Sequence, residues 1–187
     1  MEHTSMSDDH TPQQEQMPAS DLPEALVAAL VEIEQYVGAS GWDQPARLFA
    51  LVRTADLVQA EPHLAEQLTV TSDDALSSIE QEDFRDGGDL LETLAGIRWS
   101  PSVHGCAMSL ERTFLPAGLE DQIPSDPEEA NRFVANHPQH QEIRVVVGAL
   151  RDGSTHGLAR LVDQPDELLG GHDLVPALSQ ALAQTLR

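Results

Sequence analysis

A chain of 187 residues that sets thirty-two Asp and Glu against ten basic residues, every one an arginine, carries a formal charge of −22. A surface this negative repels phosphate backbones and anionic leaflets, so neither nucleic acid nor a membrane is an expected partner. The lack of lysine removes Schiff-base and phosphate-loop lysines, and with them pyridoxal-phosphate enzymes and P-loop NTPases.

Forty per cent apolar residues suffice for a core. With two Trp, four Phe and one Tyr, that core must come mostly from Leu, Val, Ile and Ala. The length suits one domain. Cys106 is the single cysteine, which allows no internal disulfide and fits a reducing compartment. Residues 1–20 show neither the basic n-region nor the apolar h-region of a signal peptide. No apolar run approaches the ~20 residues of a membrane span, so a cytoplasmic protein is expected.

Residues 1–20 are polar and aperiodic and read as a disordered acidic tail, with His3 and His10 as solvated spectators. The domain is expected over 21–187. Asp21 reads as an N-cap before Pro23, and Leu22, Leu26, Leu30, Ile33 and Val37 recur at helical spacing until Gly38 and Gly41. Arg47 to Thr54 is apolar on both faces, as a central strand would be. Pro62 opens a short helix carrying Leu64, Ala65 and Leu68. Leu76 to Glu82 alternates weakly and reads as an edge strand whose acids discourage edge pairing. Asp89 and Glu92 form a capping box before Leu90, Leu91, Leu94 and Ile97.

Val103 to Leu115 alternates most clearly. Cys106, Met108, Leu110 and Phe114, interrupted by Arg112, share a buried face, and Ala107, Ser109, Glu111 and Thr113 share a wet or lightly covered one. Ser125 caps a helix that begins at Pro127 and runs to about Asn136. Glu142 to Leu150 and His156 to Val162 form a hairpin around Asp152-Gly153. Asp173 caps a last helix carrying Leu174, Leu178, Ala181, Leu182 and Leu186. The expected fold is α+β: two layers, a mainly antiparallel sheet of about five strands packed against the N- and C-terminal helices.

Four constellations bear on chemistry. His104 and Cys106, two apart on a strand, point the same way, and a His beside a Cys activates a thiol; the core-like neighbours of Cys106 favour an inert, buried thiol instead. His137 and His140, with Glu142, have a spacing open to a metal, but Pro138 breaks the helix that would preset it, and a solvated loop is the expectation. Arg47, Arg53, Arg112, Arg144 and Arg160 all fall on strands, where they either form an anion-recognition patch or pair with surplus carboxylates. Scattered carboxylate pairs such as Glu80 and Glu82 arise by chance in so acidic a chain. His104, Cys106, Arg112, Arg144 and Arg160 are the candidate pocket residues; no catalytic, cofactor-binding or metal residue is assigned.

Gly41-Trp42-Asp43-Gln44-Pro45-Ala46-Arg47-Leu48-Phe49-Ala50-Leu51-Val52, Ile97-Arg98-Trp99, Gly105-Cys106-Ala107, Glu111-Arg112 and Gly171-His172-Asp173-Leu174-Val175-Pro176-Ala177-Leu178 resemble, across roughly 21–187, a family of small acidic actinobacterial cytoplasmic proteins without an assigned function. The resemblance carries no catalytic residue across. The element order, with short helices set aside, also resembles type III secretion chaperones, which implies a binding role by analogy alone. The expectation is a non-enzymatic protein-interaction or chaperone-like module. It would be a homodimer with no cofactor, using an apolar groove or sheet face for a protein partner that the acidity favours as basic. The alternative is a small enzyme or ligand-binding protein with its pocket near His104, Cys106 and the strand arginines.

Overall fold

The computed structural model describes residues 24–68, 70, 74–85, 87–171 and 174–187. The tail at 1–20 and the caps expected at Asp21 and Asp173 lie outside these residues. Six strands form one sheet: β1 (Arg47–Arg53), β2 (Leu76–Glu80), β3 (Gly105–Phe114), β4 (Gln141–Leu150), β5 (Thr155–Leu161) and β6 (Leu169–Gly171). Their spatial order is β2-β1-β3-β4-β5-β6, with every neighbouring pair antiparallel. Among the described residues there are five α-helices, α1 (Glu24–Gly38), α2 (Thr54–Ala60), α3 (Leu90–Ala95), α4 (Pro127–Asn136) and α5 (Pro176–Thr185), and two short 3-10 turns, of which Pro62–Glu66 is the short helix expected at Pro62. The α+β class therefore holds, with six strands where about five were expected.

The two-layer expectation is corrected, because helices cover both faces. Leu26, Leu30, Ile33 and Val37 of α1 pack on Phe49, Leu51, Ala107, Val146 and Leu158. Leu178, Leu182 and Leu186, in and just after α5, pack with Leu94 of α3 on the opposite side chains, Leu48, Ala50, Cys106, Met108, Val145 and Val147. Alternation along a strand assigns neighbouring residues to opposite faces, so each central strand serves two cores. The wet face expected for β3 is for the same reason dry at its start: Ala107 and Ser109 are buried beneath α1, and exposure begins near Glu111.

Gly148 shows how closely α1 is seated. A Cβ there would lie 2.8 Å from Leu30 Cδ2 and 2.9 Å from Leu26 Cδ1, so any larger residue would have to displace both leucine methyls of the helix. On the other face Trp99 Nε1 donates to Thr185 Oγ1 at 2.9 Å, and Arg151 donates from Nε to the Val103 carbonyl at 2.6 Å and from Nη1 to the Leu186 carbonyl. Arg151, read from sequence only as part of a turn, thus fastens the end of α5 to the loop before β3.

The helix caps follow side-chain chemistry. Asp89 accepts from the Glu92 N–H at 3.0 Å, as expected. At α4 the cap is Asp126 rather than Ser125, accepting from the N–H groups of Glu128 and Glu129. Among the helices, α4 buries no residue fully. The β4–β5 hairpin turns through 151–154, with Gly153 at φ 94° and the Ser154 N–H donating to Asp152 Oδ1 at 2.8 Å.

β3 and β4 are each ten residues long and pair from Gly105↔Leu150 to Phe114↔Gln141. β1 pairs with β3 only from Gly105 to Ser109. The far half of the β3–β4 ribbon consequently projects past β1, and that overhang shapes the site.

Candidate functional site

The overhang has a polar side and an apolar side. On the α1 side Arg144 is 2% exposed, an arginine held almost wholly out of water. Its guanidinium stacks over Trp42, 4.5 Å from the ring centroid, and its Nη2 donates to Glu111 Oε1 at 3.1 Å and to the Gly41 carbonyl. Glu111 Oε2 accepts from the Gln44 N–H at 2.7 Å. The 41–45 turn, where Asp43 takes φ 64°, is thereby clamped onto the ribbon. Separating a buried pair of this kind typically costs about 3–5 kcal/mol, because a bare charge is left in a dry site.

Two further arginines on this face are spent the same way. Arg160 grips Glu34 of α1 with two hydrogen bonds of 2.5 and 3.0 Å, which raises the arginine above its ordinary range. Arg47 grips Glu80 at 2.6 and 2.8 Å and lies over the Tyr36 ring. Its hydrogen bonds hold the Glu80 carboxyl below the usual range against the opposing pull of burial. Arg47, Arg144 and Arg160 are structural ion-pair members.

The five candidate pocket residues do not converge. Arg144 and Arg160 face one another across the β4–β5 pair on the α1 side. Cys106 and Arg112 lie on the α5 side, at opposite ends of β3. His104 precedes β3, and its Nε2 lies 3.6 Å from Asp56 Oδ2 of α2. Cys106 is buried under α5, with Sγ 3.5 Å from both the Leu182 carbonyl and Thr185 Oγ1. Burial pushes its thiol up to about 11, against the weaker pull of Thr185, Trp99 and Arg151, so it is held as thiol, the unreactive form.

His137 and His140 engage their own backbone. His137 Nδ1 accepts from the Gln139 N–H at 3.0 Å, and His140 Nδ1 lies 2.7 Å from the His137 carbonyl oxygen. Among the described residues no group of three or more His, Cys, Asp or Glu could hold a metal ion.

The apolar side of the overhang is an open groove of about 600 Å³. Leu110, Arg112 and Phe114 of β3 with Ile143 and Val145 of β4 make its floor. Gly88, Asp89, Leu90 and Leu91 form one bank, and Leu174, Val175, Ala177 and Leu178 form the other. Leu91 is 48% and Leu174 41% exposed, high for large apolar side chains. The floor is flanked by the α3 and α5 segments and, among the described residues, has no roof.

Its polar equipment is sparse. Asp89 spends a carboxylate oxygen capping α3. Arg112 donates from Nη1 to its neighbour's carbonyl, that of Glu111, and has no carboxylate within 4 Å among the described residues. An apolar cleft of this volume with few polar groups has the general form of a binding site. Sequence reasoning singled out Arg112 but missed the groove, because the walls come from four separated stretches of chain. The available signal was Leu91, off the Leu90–Leu94 spacing of α3; Leu174 gave none, because it lies four residues before Leu178 as a stripe residue would, yet α5 begins only at Pro176.

The PPA1309-like protein family matches residues 26–187, and the chain belongs to that family. No curated protein and no solved structure matches the chain. Among the described residues no helix is long and apolar enough to cross a membrane.

Proposed function

We propose that this member of the PPA1309-like family is a non-enzymatic interaction module, chaperone-like in use, that seats an apolar segment of a protein partner in the groove between α3 and α5. The single observation that carries the reading is the apolar floor, uncovered among the described residues, with exposed leucines on both banks. Exposed apolar surface gathered in one concave patch marks an interaction site more often than a lone exposed leucine does. The candidates for catalysis are otherwise occupied: the thiol is buried and protonated, and three arginines are paired.

A charge of −22 steers basic partners toward the molecule, while the groove selects the segment that docks. The free, buried cysteine supports work in the reducing cytoplasm. Self-association as a homodimer belongs to the same proposal. Among the described residues no strand pairs with the outer edge of β2, and its one charged side chain, Glu80, is neutralised by Arg47.

The test is affinity capture with the full chain beside a Leu91→Glu/Leu174→Glu variant of unchanged circular dichroism. A specific partner retained by the first and released by the second is expected. Equal retention by both would place the interaction elsewhere.

A further inference from the structure

The geometry points to an acidic apolar segment as the groove's occupant: a stretch of partner polypeptide whose apolar side chains lie on the β3–β4 floor and whose carboxylate pairs with Arg112. The inference rests on the groove being the docking site and adds the chemistry of what docks there.

Charge complementarity carries the argument. Among the described residues that line the groove there is one cation, Arg112, and one anion, Asp89. The anion already accepts a backbone N–H at the start of α3. The cation donates from Nη1 to the neutral Glu111 carbonyl, and among the described residues its Nε and Nη2 have no acceptor, which leaves them for a ligand. Of the strand arginines, Arg47, Arg144 and Arg160 each hold a carboxylate, whereas Arg53 and Arg112 do not among the described residues, and of these two Arg112 alone lines the groove. A guanidinium presents its donors in a planar fork that matches a carboxylate.

The shape selects polypeptide over a free acyl chain. With Leu91 48% and Leu174 41% exposed, the banks are open to water. An acyl chain laid in such a trough would keep one side wet, whereas a protein segment brings its own cover. The preference also runs against the molecule's field. A chain of charge −22 attracts basic peptides everywhere on its surface, so selection of an acidic peptide requires a local cation.

A random linear peptide library, selected on the immobilised full chain at moderate salt, is the probe. The expected winners combine apolar residues with Asp or Glu, acids exceeding bases about tenfold, the selectivity of one charge-assisted hydrogen bond. The exposed substitution Arg112→Glu should reverse that ratio, and Leu91→Glu/Leu174→Glu should abolish enrichment. Apolar winners without acidic preference, lost in the leucine variant, would overturn the carboxylate inference and leave the docking reading standing. Basic winners indifferent to the leucine variant, or no enrichment, would overturn both.

Discussion

At the scale of single residues, burial decides what each group can do. Cys106 has its ordinary value of 9.0 in the unfolded chain and about 11 in the fold, with desolvation as the leading cause. Between those values the unfolded chain has lost the thiol proton and the native one keeps it, so stability falls as pH rises through the window. The expected loss is about 2–3 kcal/mol across it. A chain with no lysine and a single tyrosine has few other groups titrating there. Urea unfolding from pH 9 to 11 should show this decline in the native chain and a flatter profile in Cys106→Ala. Equal slopes would mean that the thiol is solvated. The same burial predicts that a thiol reagent at neutral pH modifies Cys106 only as fast as the chain unfolds.

At the scale of elements, periodicity served where one face was buried and failed where two were. The stripe in α1 was legible because Leu26, Leu30, Ile33 and Val37 repeat at helical spacing. Its side of the sheet was not, because β1 and β3 present apolar residues in both directions, and either face could have accepted either helix. α2 went unread: seven residues whose N-cap makes no side-chain hydrogen bond leave little mark. β6 went unread because Leu169–Gly171 is recruited through backbone pairing with β5, which a Gly-Gly pair does not advertise. Glu34 was passed over although it follows Leu30 by four residues and so sits on the buried stripe, where Arg160 meets it. The α1 placement gives a direct test. Gly148→Val must push a side chain into Leu26 and Leu30, and overpacking of this kind costs about 1–3 kcal/mol. Gly118, with open space around it, is the control for a general glycine effect, taken as Gly118→Asn to suit its φ of 98°. A Gly148→Val variant as stable as the native chain would contradict the seating of α1.

At the scale of the whole molecule, charge and apolar surface are kept apart. Three arginines sit in pairs with little exposure, where salt screens weakly, while the surplus of acids repels itself across the exterior. Sodium chloride should therefore raise the urea midpoint. A midpoint that falls with salt would mean that attractive surface pairs outweigh the net repulsion. Against this exterior the groove is the exception, an apolar floor, open among the described residues, where the β3–β4 ribbon extends past β1.

Fluorescence of anilinonaphthalene sulfonate, an apolar anion, with the folded chain tests whether this groove binds. The expected result is saturable enhancement at one site per chain, removed in Leu91→Glu/Leu174→Glu with thermal unfolding unchanged. No enhancement by the native chain, or undiminished enhancement in that variant, would contradict the account.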